Sequence, residues 1–117
     1  MLNSSIFANF ICKIIIMRIL SLRTIKAFWK LHPQAEAGLR YWYGKIESKE
    51  YSNPQEIIAD FKGADFVGNG RIVFNIALNK FRLIAFFNYE YQLCYVKFVG
   101  THKEYDKVIA SEVPFNS

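Results

Sequence analysis

The stretch from residue 71 to residue 99 limits the possible folds most, because three strand-like segments follow one another across very short links. Arg71-Ile72-Val73-Phe74-Asn75-Ile76 reads as a strand and Ala77-Leu78-Asn79 as a tight connection. Residues 80–88 return, Tyr89-Glu90-Tyr91-Gln92 turns again, and residues 93–99 form a third strand. A parallel crossover needs a dozen or more residues, so links this short dictate an antiparallel meander. On the returning strand Phe81, Leu83, Ala85 and Phe87 face one side, and Arg82, Ile84, Phe86 and Asn88 the other. Both sides are substantially apolar. Helices are therefore expected on one face, with the terminal helix or a partner on the other.

The preceding chain reads as helical. Residues 17–22 alternate well enough for a short first strand, and Ser21 can then cap a helix carrying Ile25, Phe28, Trp29 and Leu31 at near-3.6 spacing. Pro33 ends that helix and suits the first turn of a second, running to about Ser48 with Ala35, Leu39, Trp42, Tyr43 and Ile46 partly buried. Asn53-Pro54-Gln55-Glu56 is a further start signal: Asn as cap, Pro at the first position, Glu at the third. That third helix is short and stops at Gly63; Gly68-Asn69-Gly70 is a turn. The fold class is α+β: N-terminal helices packed on a small antiparallel sheet, with a short C-terminal helix.

At 117 residues, 52% hydrophobic and 17% aromatic, the chain is a single domain with a core and not a disordered segment. Residues 1–16 differ in texture. Their apolar run is too short to span a bilayer and lacks the basic flank of a signal peptide. Met17 can be the start of a domain of residues 17–117, with residues 1–16 an upstream addition; the alternative is a real extra strand or helix. Cys12 and Cys94 stand apart in apolar runs with no CxxC or Cys/His cluster, which argues against zinc and for reduced thiols in a cytoplasmic protein. A net charge of +5 and a pI near 9.3 point to a polyanionic partner, nucleic acid above all, or to an acidic protein.

Chemistry concentrates at Thr101-His102-Lys103-Glu104-Tyr105-Asp106. Thr101 followed by Glu104 is a capping-box signature. With Thr101 as N-cap, His102, Tyr105 and Asp106 share one helix face, beside Lys103 and near a helix end suited to phosphate. The same spacing also fits a well-capped terminal helix and nothing more. On the third strand Lys97 alternates with Val96 and Phe98 and is expected on the face opposite them, where Arg82 of the neighbouring strand can join it. Arg71 and Asn75 share parity on the first strand, while Asn79 and Lys80 sit at the bend.

Three ordered blocks, Arg71-Ile72-Val73-Phe74-Asn75-Ile76, Asn79-Lys80-Phe81-Arg82-Leu83-Ile84 and the run Val99-Gly100-Thr101-His102-Lys103-Glu104-Tyr105-Asp106-Lys107, closely resemble the HigB family of toxin–antitoxin toxins. Phe28-Trp29, His32-Pro33, Ala35-Glu36, Leu39, Trp42-Tyr43 and Ala64-Asp65-Phe66-Val67-Gly68-Asn69 agree as well, so the resemblance covers residues 17–110. One departure stands at the hairpin bend. Glycine is common there in the family, whereas this chain has Ala77-Leu78, neither of which tolerates positive φ as glycine does.

The resemblance implies a RelE-like fold and a ribosome-dependent, metal-independent mRNA endonuclease without cofactor. The implied partners are mRNA on the ribosome and a helix-turn-helix, HigA-like antitoxin, with operator DNA met only through the toxin–antitoxin complex and no membrane contact. Such cleavage uses the ribose 2′-hydroxyl as nucleophile, so it needs a base, an acid and cations at the phosphate. The implied catalytic set is His102, Arg82, Lys97, Tyr105 and Asp106. His102 is the titrating group, Asp106 fixes its tautomer, Arg82 and Lys97 stabilise phosphate charge, and Tyr105 stacks or donates. Arg71, Asn75, Asn79, Lys80 and Lys103 are the implied RNA contacts. The competing readings are a non-catalytic RNA- or ribosome-binding module, and an interaction domain whose basic surface serves only the antitoxin.

Overall fold

The computed structural model describes residues 16–113; the reading of residues 1–15, with Cys12, lies outside the described residues. The elements run β1 (Arg18–Ile19), α1 (Leu22–Leu31), a 3-10 turn (Pro33–Ala35), α2 (Glu36–Ile46), α3 (Pro54–Asp60), β2 (Asp65–Gly68), β3 (Arg71–Ile76), β4 (Phe81–Asn88), β5 (Leu93–Thr101), α4 (His102–Tyr105) and a second 3-10 turn (Ala110–Glu112). The sheet order is β1-β5-β4-β3-β2. The expected meander is β3-β4-β5, and the fold is α+β. At one edge the short β1 joins β5 in parallel, and at the other the antiparallel β2 pairs with β3.

Local chemistry sets the helices. In α1, Ile25 and Trp29 are four apart and buried, while Arg23, Lys26 and Lys30 face outward. Leu31, expected on the apolar side, is exposed. Ser21 holds the N-cap position, yet its hydroxyl makes no capping bond. Asn53 does cap: its Oδ1 accepts from the Glu56 backbone N–H at 3.0 Å, and Pro54 sits in the first turn. The Glu56 carboxylate reaches back to the Ser52 N–H at 2.7 Å, one residue before the cap. Pro33 opens a 3-10 turn that leads into α2, so the α-helix proper starts only at Glu36.

Two apolar layers hold the sheet. The larger packs Ile25, Trp29, Leu39, Trp42, Ile46 and Ile57 against Ile72, Phe74, Ile76, Leu83, Ala85 and Val96. Phe74 is its hub, edge-on to Trp42 at 5.4 Å and Phe61 at 5.1 Å, with Phe87 at 6.1 Å. On the opposite face Val73 and Ile84 are covered by Val113, with Phe98, Tyr105 and Val108 packed around them. The C-terminal segment thus covers the second face, as the two-sided apolar pattern requires. It is tied down from the sheet: Asn69 Nδ2 donates to the Ser111 carbonyl at 2.8 Å, and the buried Arg71 guanidinium donates to the carbonyls of Asn69 and Val113.

The β3–β4 hairpin turns on three consecutive left-handed residues, Ala77, Leu78 and Asn79, with φ of 54°, 55° and 76°. The Lys80 N–H closes the turn on the Ala77 carbonyl at 3.2 Å. Positive φ at Leu78 and Asn79 is the primed-turn pattern that suits strand twist, but in a Leu it costs about 1–2 kcal/mol. Leu78 is 98% exposed and recovers nothing through packing. Leu78→Gly is therefore expected to stabilise the protein by about 0.5–1 kcal/mol, the strain relief exceeding glycine's larger entropy loss. Urea unfolding should show this as a raised midpoint at unchanged slope.

Candidate active site

The site forms where β4 begins and β5 ends. Phe81 pairs with Thr101, Arg82 with Gly100, and Asn75 of β3 lies opposite Arg82. Thr101 then starts α4 with a complete capping box: the Glu104 N–H donates to Thr101 Oγ1 at 3.2 Å, and the Thr101 N–H donates to Glu104 Oε1 at 2.8 Å. Glycine at residue 100 leaves room for the Glu104 carboxylate as it stands. A Cβ there would stand 2.7 Å from Glu104 Oε1 and 2.6 Å from the Phe98 ring. Thr101→Ala removes one cap bond from a helix of four residues and is expected to cost about 1 kcal/mol. Faster hydrogen exchange at the Glu104 amide than in the wild type is the local readout.

Two of the three amides at the helix start are already used within the fold. The His102 N–H donates to the Lys80 carbonyl at 3.3 Å and the Glu104 N–H to the Thr101 hydroxyl, so those donors are spent within the fold. Arg82 lies with its guanidinium carbon 5.6 Å from the centre of the Tyr105 ring, a cation–π stack. Its Nη1 also makes two long contacts of 3.3 Å to the carbonyl and Oδ1 of Asn79. Those bonds are weak, and among the described residues the remaining guanidinium donors show no hydrogen-bond partner.

His102 is exposed on the outer side of α4, with Nε2 3.9 Å from Asp106 Oδ1. That is beyond a hydrogen bond, so in this geometry Asp106 does not fix the imidazole tautomer. Tyr105 is half-buried, its ring 6.4 Å from Phe98, with its other surroundings set by the second apolar layer. Lys80 and Lys103 are exposed beside this end, and Asn75 and Asn79 are exposed at the hairpin.

Two expected members lie elsewhere. β5 carries one extra residue between Val96, opposite Ala85, and Phe98, opposite Ile84; that residue is Lys97. The bulge breaks the alternation, so Lys97 does not oppose Phe98 but shares its face. There it is 4% exposed, with its ammonium 5.5 Å from the Tyr95 ring, in a trough with Phe98, Val108 and Val113. Burial, and secondarily the Arg71 charge, push its pKa below the ordinary lysine value. Along β5, Lys97 is three residues, about 10 Å of strand, before Gly100, the partner of Arg82. Arg71 is likewise buried under the C-terminal segment. The structure therefore gathers Asn75, Asn79, Lys80, Arg82, His102 and Tyr105, with Lys103 and Asp106 at the rim, and sets Lys97 and Arg71 apart.

One neighbour was not visible in the sequence. Lys62 and Gly63 line a trough of about 480 Å³ with Asn75, Leu78 and Asn79. A lysine in the loop after α3 carries no local signal for this, since only the pairing of β2 with β3 brings the loop and the bend together. His32, by contrast, is a packing residue: its ring stacks on Phe28 at 4.4 Å and lies 5.7 Å from Phe81.

The family profile HigB_toxin, described as the RelE-like toxic component of a toxin–antitoxin system, matches residues 35–108, well over half of the chain. The chain belongs to the HigB toxin family. Membership implies an antitoxin partner. All ten HigB-type candidate residues, from Arg71 to Asp106, fall inside the matched span, whereas β1 and α1 precede it. Among relatives, the mRNA interferase toxin HigB of Escherichia coli K12 is 29% identical over 92 residues, covering 77% of this chain and 88% of that protein. The mRNA interferase HigB of Escherichia coli O6:H1 is 28% identical over 94 residues, covering 79% and 91%. No helix among the described residues is long and apolar enough to cross a membrane.

Proposed function

We propose that this HigB-family toxin is an endoribonuclease that cleaves mRNA on the ribosome in the cytoplasm and is restrained by a helix-turn-helix antitoxin. The observation that carries the reading is the Arg82–Tyr105 stack beside the exposed His102, inside the span matched to the family. The curated relatives bear the name mRNA interferase, and the same chemistry is assigned to this chain.

In the proposed reaction the ribose 2′-oxygen loses its proton to a base and attacks the adjacent phosphorus. The bond from phosphorus to the 5′-oxygen breaks, and that oxygen takes a proton. The products are a 2′,3′-cyclic phosphate and a free 5′-hydroxyl. His102 is the side chain placed to move a proton at this edge, with the Asp106 carboxylate one turn away. Arg82 offers bidentate donors to the phosphate, pre-oriented by the Tyr105 face and loosely held by Asn79. Asn75, Asn79, Lys80 and Lys103 line the approach and hold the strand. Lys97 and Arg71 lie further along the same sheet face, buried with Val113, and take no part in the proposed reaction.

Purified protein incubated with an mRNA, alone and on programmed ribosomes, tests the ribosome requirement. Cleavage confined to the ribosome-bound message is expected. Equal cleavage of the naked message contradicts it.

A further inference from the structure

The positive excess of this chain has one address. Residues 1–35 hold Lys13, Arg18, Arg23, Lys26 and Lys30 and no Asp or Glu, whereas residues 36–117 hold ten basic and ten acidic residues. The net +5 is thus the charge of the first segment alone. In the fold, Arg23, Lys26 and Lys30 stand at i, i+3 and i+7 on the exposed side of α1, opposite the buried Ile25 and Trp29. They line one open trough with Leu22 and Ala27. Among the described residues none of the three takes part in an ion pair.

This arrangement works against the helix that carries it. Like charges three and four apart repel by a few tenths of a kcal/mol per pair. Arg23 also stands in the first turn, which has no acidic residue, at the positive end of the helix dipole. Solubility would be served equally by mixed charge, so the uncompensated stripe points to a polyanion. The trough holds no large exposed apolar anchor of the kind stable protein interfaces are built on, while exposed cations alone suffice for phosphates. The stripe also leads to the active end: Phe28 of α1 lies edge-on to Phe81 at 5.5 Å, and Phe81 pairs with Thr101, the cap of α4.

We propose that the exposed face of α1 docks the phosphate backbone of folded RNA without reading sequence, and so holds the ribosome while the Arg82 edge meets the message. This rests on the ribosome use proposed above, and places a second RNA surface ahead of the span matched to the family. The test is equilibrium binding of the full chain to vacant ribosomes carrying no mRNA, over a salt series. The variants are Arg23→Gln/Lys26→Gln/Lys30→Gln, the charge-preserving Lys26→Arg/Lys30→Arg, and Lys107→Gln as a cation elsewhere.

The triple variant is expected to bind at least about tenfold more weakly near 100 mM salt, with its log–log salt slope shallower by about 2–3. The Arg pair should keep wild-type affinity, and Lys107→Gln should leave the slope within about 1. The triple variant's thermal midpoint should match or exceed the wild type, since repulsion is relieved; this separates lost docking from lost folding. Wild-type affinity and slope in the triple variant overturn the proposal. So does a loss that appears with poly-glutamate while ribosome binding is intact, which would mark an acidic-protein site. An equal loss on naked single-stranded mRNA overturns it in favour of the substrate strand. Because vacant ribosomes offer no message, α1-dependent binding without mRNA cleavage would refute the nuclease reading and leave the docking surface standing.

Discussion

Arg82→Ala is expected to lower the rate of mRNA cleavage by about 10²–10³-fold, the usual consequence of removing one preorganised donor from a developing anion. The side chain is half-buried against Tyr105 and has only long contacts with Asn79, so its loss leaves no buried partner stranded. Stability should change by less than about 1 kcal/mol, within the range of substitutions away from the core. Arg82→Lys keeps the charge and loses the planar fork, so its rate should fall between the two. Single-turnover cleavage on programmed ribosomes, beside a thermal melt of each variant, checks both halves. A rate within threefold of wild type for Arg82→Ala would remove Arg82 from the site.

The second large effect lies in the core. Phe74→Ala is expected to destabilise the domain by about 3–5 kcal/mol, because it removes a fully buried ring and leaves a cavity among rigid neighbours. Phe74 is 1% exposed and touches Trp42, Phe61 and Phe87, which come from α2, the end of α3 and β4. With total stabilities usually of 5–15 kcal/mol, that loss should take much of the margin. Urea unfolding is the measurement, and a loss below about 1 kcal/mol would mean that these three elements do not share one core. Phe74 also precedes Asn75, which lies opposite Arg82, so partial inactivation should accompany the loss of stability.

Much of the frame was legible because its signals are local. Alternation and turn residues place β3 and β4 within a residue of the observed bounds, Asn53-Pro54 starts α3, and Thr101 with Glu104 builds the capping box that their spacing predicts. What escaped the sequence depends on pairing between distant segments. β2 has four residues ending in Gly68, so it carries no alternation of its own and exists through β3. Lys97 followed a correct periodicity to the wrong neighbours, since one bulged residue shifts every side chain beyond it. The use of the helix-start amides was hidden for a related reason: the His102 N–H is taken by the Lys80 carbonyl across the hairpin.

The bend is the clearest case of tertiary structure overriding local preference. Ala77 and Leu78 are poor residues for positive φ, and both adopt it in the short link that joins the paired Ile76 and Phe81. The strain lies beside Asn79 and Arg82, at the edge where the proposed chemistry takes place.

Mapping RNA 5′ ends by primer extension during translation tests the central claim most directly, with wild type and His102→Ala compared. The wild type should create new 5′ ends within the reading frame as translation stops, and His102→Ala should lower their yield by about 10²–10⁴-fold, as for loss of a general acid or base. Translation arrest by the wild type with no new 5′ ends would contradict a cleaving toxin and leave only one that acts by occupying the ribosome.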